Sequence, residues 1–317
     1  MRPPSSSHTP LVGFALALLL AALDIGRAAA GGSAPHPPAA PPSLTELKNL
    51  SYAGFVGAAG SVTLVDGRYE GEPYAAGAAA RRTVTFARDF RVTGDLDGDG
   101  QEEAVVLLAE NTGGSGTFDY LAVVTRKDGK PVNVATAPLG DRVQLRAARI
   151  EGRRLLVDVV RAGPGDAMCC PGELASRAWD FAGDKLVEVA TGVPPQQLSL
   201  AALADAEWVL RWWDWDEPVP EGIEVTLTME GGRVAGRAAC NRYFATATPG
   251  RAPGEFGVGA IGSTKMACPE PRMAAEARFL EQLGAAASYS FLAGQLAIGW
   301  SKDGRGGAML FERRPGD

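Results

Sequence analysis

Turn dipeptides punctuate this chain at short intervals, and they constrain its fold more than any other feature. Asp66-Gly67, Asp128-Gly129, Glu151-Gly152 and Gly183-Asp184 punctuate the first half, and Gly231-Gly232, Ala293-Gly294 and Asp303-Gly304 the second. Beside or between them lie apolar, β-rich runs: Val62–Val65, Thr83–Ala87, Ala104–Ala109, Tyr120–Thr125, Val143–Ile150, Leu155–Arg161 and Ala178–Phe181, then Val225–Met229, Val234–Arg237, Tyr289–Leu292, Gln295–Ile298 and Ala308–Glu312. Strand-length runs broken by such dipeptides predict hairpins, and hairpins predict antiparallel sheet. The expected fold class is therefore mainly β with minor α.

Two helices interrupt this pattern. Ser43 with Glu46 forms a capping box that opens a short helix through Leu50. A second begins at Glu270, carries Pro271 in its first turn and ends at Gly284, with Met273, Ala277, Leu280 and Leu283 as its expected apolar stripe. The chain of 317 residues is long enough for two domains. Pro194-Pro195 marks a boundary between an antiparallel β domain at 43–192 and a second domain at 200–314.

Ahead of both, Arg2 precedes an apolar run from Leu11 to Leu23, and Ala28-Ala29-Ala30 follows. Residues 1–30 read as a secretory signal peptide, and the run is short of the ~20 residues that span a bilayer. No cysteine precedes Cys169, so no lipid-bearing cysteine follows the leader. Residues 31–42, rich in Pro, Ala and Gly, read as a flexible linker. The expected location is periplasmic or secreted, with no membrane span after cleavage.

Composition excludes several kinds of chemistry. The two histidines, His8 and His36, both fall ahead of the first domain. Mechanisms that need an imidazole as base, proton shuttle or metal ligand are thereby removed, including histidine triads and most zinc sites. A formal net charge of −6 argues against nucleic acid as a partner. The expectation is a non-enzymatic protein whose partner is an envelope protein or a cell-wall ligand.

One loop carries candidate metal chemistry. In Asp95-Leu96-Asp97-Gly98-Asp99-Gly100-Gln101-Glu102-Glu103, carboxylates at alternate positions are followed by glycine, a set of hard oxygens suited to calcium. An EF-hand would place its bidentate acid at the twelfth position, where this chain has Val106; here the acid stands ninth, at Glu103. The loop resembles those of FG-GAP-type repeats, with Asp95, Asp97, Asp99, the Gln101 carbonyl and Glu103 as ligands. The other reading is an acidic turn whose aspartates bond their own backbone. Gly113-Gly114-Ser115-Gly116 lacks the Lys-Ser/Thr ending of a phosphate loop and reads as a hairpin connection. From Asn49 to Leu186, the landmarks Val62–Tyr69, the acidic loop, Gly113–Phe118, Leu139–Val143 and Met168–Pro171 resemble LppP/LprE-like secreted domains, a family that brings no established activity.

Trp208 to Trp215 opens the second domain as a strand. Alternation puts Trp208, Leu210 and Trp212 on one face and Val209, Arg211, Trp213 and Trp215 on the other. Trp213 and Trp215 could then form a stacking surface for a glycan or peptide, or simply pack at an edge. Trp208-Val209-Leu210, Gly236 with Cys240-Asn241, Ser263–Pro269 and Glu276 with Phe279-Leu280 resemble the META (HslJ-like) domain across nearly all of 203–313. That resemblance implies a small β-barrel-like sheet with one helix, found in exported proteins tied to envelope stress, without accepted catalytic residues. Between Ala247 and Gly254 the chain departs from the pattern, and an irregular loop is expected.

In an oxidising compartment Cys240 and Cys268 can form a disulfide, although four cysteines allow three connectivities and pairing with Cys169 or Cys170 stays open. Cys169-Cys170 itself reads as a rigid turn before Pro171 or as a vicinal redox pair. A nucleophilic Cys268 near Lys265 is the enzymatic alternative, and it lacks a histidine base.

Overall fold

The computed structural model describes residues 40–56, 60–167 and 170–314. The leader at 1–30, most of the 31–42 linker and Cys169 lie outside the described residues. The described residues make one compact unit. Every strand pairing among the described residues is antiparallel, as the turn dipeptides predict.

The first half begins with α1 (Leu44–Lys48), whose Ser43 and Glu46 form the expected capping box. A two-stranded ribbon follows, β1 (Ser51–Ala53) with β2 (Ser61–Thr63). Then comes a five-stranded meander of β3 (Arg68–Pro73), β4 (Arg81–Gly94), β5 (Glu103–Asn111), β6 (Phe118–Lys127) and β7 (Lys130–Asp141). A second sheet holds β8 (Gln144–Glu151), β9 (Arg154–Arg161), β10 (Glu173–Ala182) and β11 (Lys185–Val189), with β12 (Gln196–Gln197) also on β10.

The meander is the middle layer. Val105, Leu107, Leu121 and Val123 face Leu155, Val157, Val159 and Trp179 of the second sheet. On its other side Val106, Leu108, Ala122 and Val124 meet Leu47, Tyr52, Val62 and Leu64. Strands covered on both faces read as unbroken apolar runs, which is why Ala104–Ala109 and Tyr120–Thr125 show no alternation. Hairpins such as Lys127–Lys130 carry both central residues at positive φ, 52° at Asp128 and 75° at Gly129. That geometry matches the twist of the flanking strands and favours Asp-Gly.

The second half builds a ten-stranded sheet. Its strands are β13 (Trp208–Trp213), β14 (Glu217–Pro218), β15 (Thr226–Glu230), β16 (Arg233–Ala238), β17 (Asn241–Pro249), β18 (Phe256–Val258), β19 (Gly262–Ser263), β20 (Ala286–Leu292), β21 (Gln295–Lys302) and β22 (Arg305–Arg313). The main path runs β18-β17-β16-β15-β13-β22-β21-β20. Its two ends nearly close a barrel, through a Glu255–Ser288 bridge and the Tyr289 N–H donating to the Gly254 carbonyl at 2.7 Å. Helix α2 (Glu270–Gly284) packs Phe279 and Leu283 onto the core, against Tyr243 among others.

Three expectations need correcting here. The buried face of α2 is Ala275, Glu276, Phe279, Gln282 and Leu283, while Ala277 is exposed. Of the expected stripe, Leu283 is buried and Leu280 packs partly buried against the core, so the error is confined to Ala277, whose side the helix turns to solvent while Phe279 and Glu276 face inward. Residues 247–249 are not loop but the end of β17, whose burial alternates from Asn241 to Thr248. The end of the linker is not free either: Arg126 and Arg91 donate to the carbonyls of Ala40 and Pro42 at 2.8 and 2.9 Å.

The halves share a joint. The β20–β21 turn reaches β8, where the Gly294 N–H donates to the Leu145 carbonyl at 2.9 Å and the Phe291 N–H to Gln144 Oε1 at 2.9 Å. Ala293 is buried in the core of the first half. Arg146 of β8 crosses the other way, ion-pairing with Asp205 at 2.5 Å and donating to the Ala202 carbonyl at 3.0 Å.

Candidate functional site

The acidic loop hangs between β4 and β5, closed at its base by the Gly94–Glu103 pair. Oxygens of Asp95, Asp97 and Asp99 all lie within 4.8 Å of one another. The aspartates also bond the loop's own backbone. Asp95 accepts from the N–H of Gly98 (2.5 Å) and Gly100 (3.2 Å), Asp97 from Asp99 (3.0 Å), and Asp99 from Gln101 (2.7 Å). Such bonds hold a tight acidic turn with or without an ion.

Glu103 does not join that trio. It is fully buried, accepting from the Leu96 N–H at 2.9 Å and the Thr125 hydroxyl at 3.1 Å. Burial holds its carboxyl above the usual carboxylate range, and the charges of Asp97 and Asp99 add to the effect. Arg153 lies over the rim, donating to the Asp97 carbonyl, with its guanidinium 2.7 Å from where a Cβ on Gly98 would stand. Three converging hard oxygens fit calcium by chemistry. Nothing in the spacing marked Thr125 or Arg153, because both come from neighbouring hairpins.

The cysteine-bearing stretch is tied together by a second cluster. Cys240 and Cys268 form a disulfide across 28 residues. Between them Asn241 bonds in three directions. Its Oδ1 accepts from the Met266 N–H and the Thr264 hydroxyl, both at 2.7 Å, and its amide donates to the Met266 carbonyl at 3.2 Å and to Glu276 Oε1 at 2.9 Å. The β16–β17 turn, the 263–269 segment and α2 meet at this one residue. With both sulfurs bonded, neither Cys240 nor Cys268 is a nucleophile in this state. Cys170 is half-buried and its N–H donates to the Ala167 carbonyl at 2.9 Å.

The tryptophan surface is not as alternation predicts. Trp213 is 2% exposed and belongs to the core with Trp208 and Leu210, whereas Trp215 is 49% exposed. A register shift between Leu210 and Trp212 along β22 makes Arg211 an extra residue in β13. One extra residue reverses the parity beyond it and turns Trp213 inward. The Arg278 guanidinium then caps Trp213, 4.7 Å from its ring centre. Trp215 sits in a turn at φ 84°, lining a shallow cavity of about 290 Å³ beside Trp300.

The barrel-like sheet, its single helix and the disulfide at the Asn241 hub coincide in one segment. Residues 201–314 match the META domain family model. No curated protein matches the chain. Among solved structures, the NMR structure of a protein from Burkholderia xenovorans is 24% identical, covering 40% of this chain and 95% of its own, with a TM-score of 0.29. That likeness is too slight to bear on the fold. The META segment contains the disulfide, the Asn241 hub and Trp215; the acidic loop lies outside it. No helix among the described residues is long and apolar enough to cross a membrane.

Proposed function

We propose that this is an exported, non-enzymatic envelope protein. Its META segment serves as a stress-tolerance or interaction module, and its Asp95–Glu103 loop as a structural calcium site. The META match supports an envelope- or stress-related module. The observation that carries the rest is the Cys240–Cys268 disulfide at the centre of that segment, since such bonds persist outside the cytoplasm. The leader-like N-terminus and the resemblance of residues 49–186 to LppP/LprE-like secreted domains agree with it.

Fractionating the native cell and counting thiols on unreduced protein tests the location. Protein recovered in the envelope or medium with Cys240 and Cys268 blocked is the expected result. A cytoplasmic protein with both thiols reactive would refute export.

Calorimetry with calcium tests the loop. The protein should give a binding heat that Asp97→Ala abolishes, because one of three converging carboxylates is gone. Equal heats from the two proteins would leave the loop as a hydrogen-bonded turn.

A further inference from the structure

The outer face of β15–β17 carries a groove of about 550 Å³ lined by three arginines and two glutamates, and Arg233 alone of the three arginines stands opposite a carboxylate, Glu230, in the strand ladder. Arg233, Arg237 and Arg242 line it, and none of the three has an ion-pair partner among the described residues. Arg237 and Arg242 stand directly opposite each other in the β16–β17 ladder. Like charges in that position destabilise a sheet. Elsewhere the same register is used for neutralisation: Arg154 faces Asp180 and Arg161 faces Glu173, each ion-paired at 2.6 Å.

The groove is also shaped. A Cβ on Gly236 would stand 2.0 Å from the Thr226 carbonyl oxygen, so the bare glycine lets β15 and β16 approach there. Thr226 Oγ1 accepts from the Arg237 N–H at 3.1 Å, and the Tyr243 hydroxyl donates to the Thr226 carbonyl at 2.9 Å. Phe244, 50% exposed, lies 4.4 Å beneath the Arg233 guanidinium and orients it without removing its charge. Glu207 and Glu224 close the other end, both ion-paired to Arg314. A ligand there carries its negative charge at the arginine end and neutral hydrogen-bonding groups towards the acids.

We infer that this groove binds a small phosphate monoester of a polyhydroxylated molecule, such as a sugar phosphate. Arg237 and Arg242, which face each other and no carboxylate in the ladder, suit a dianion, and guanidinium forks match phosphate oxygens in pairs. The volume exceeds what bare phosphate fills and falls within the usual range of small-molecule sites. The inference stands apart from export and from calcium, so it can fail while both hold.

Titration of the full-length protein with glucose 6-phosphate, inorganic phosphate and glucose, followed by calorimetry, tests it. The sugar phosphate should bind more tightly than phosphate, glucose should not bind, and added salt should weaken the complex. Arg237→Gln with Arg242→Gln should weaken binding by at least about tenfold. If that variant does not fold, Thr228→Trp decides, because it fills the groove from an exposed position and should abolish binding. Absence of sugar-phosphate binding, or binding that survives both variants, overturns the assignment. So does phosphate binding as tightly as its ester, or binding confined to phosphatidylglycerol vesicles.

Discussion

The buried carboxylate of Glu276 accepts both the backbone N–H of Asn241, at 2.6 Å, and its side-chain amide, at 2.9 Å. Glu276 is 6% exposed and Asn241 1%. A helix residue thus holds the first residue of β17, beside a disulfide that holds the turn before it. The pair makes the packing of α2 depend on polar bonds as well as on Phe279.

Removing either partner leaves the other, a buried polar side chain, short of a hydrogen bond. Asn241→Ala leaves Glu276 Oε1 and the Met266 N–H without their partner and should cost about 2–4 kcal/mol. Glu276→Gln replaces one of the two accepting oxygens with an N–H₂, which faces an Asn241 donor in either orientation, so it should cost a similar amount. Urea denaturation, read as a shift in midpoint at constant slope, measures both; a change below about 0.5 kcal/mol in Asn241→Ala would deny the hub its structural role.

Gly236→Ala should be among the costliest single-methyl additions in this protein. The added Cβ would meet the Thr226 backbone oxygen at 2.0 Å, and backbone in a paired strand cannot step aside as a flexible side chain can. The expected loss is about 2–3 kcal/mol by denaturation. Gly152→Ala has open space around it and serves as the contrast for steric contact, although its φ of 54° carries a backbone cost of its own.

Asp119 should make stability fall as pH rises. Burial pushes its carboxyl up to about 7, the neighbouring Asp141 charge adds to the rise, and the Val143 N–H opposes it. Between pH 4 and 7 the folded state then holds a proton that the unfolded chain has released, so the contribution present at low pH is lost through that window. Its size is on the order of 3–4 kcal/mol. Glu46 acts in a different window: its bond with Arg126 lowers it to about 2, so its contribution is lost only as pH falls below about 4. Asp119→Asn should flatten the pH 4–7 slope of the denaturation midpoint; an unchanged slope would show that Asp119 ionises normally.

Opening the Cys240–Cys268 bond should cost about 3–4 kcal/mol in the chain-entropy model for a loop of this length. Replacing both cysteines by serine and measuring denaturation without reductant isolates the effect. Reductant should destabilise the parent and leave the double variant where it was.

Several features were legible locally. The Asp-Gly turns, the Ser43–Glu46 capping box and the limits of α2 follow from backbone preferences of a few adjacent residues, and so did mainly antiparallel β structure. The Asp95–Asp99 convergence is equally local, because alternate residues of one tight loop supply it. Local pattern failed at Trp213, where one bulged residue reversed strand parity, and the bulge exists only because β22 lies alongside. It failed again at Ala277 on α2, where Glu276 turns inward to a partner contributed by β17, and it gave no sign that Glu103 is buried and bonded to Thr125 of the next strand. Tertiary structure alone placed Arg237 opposite Arg242 and the β20–β21 turn against β8. The physical reason is range: backbone propensities act over a few residues, whereas register, burial and uncompensated charge depend on segments far away along the chain.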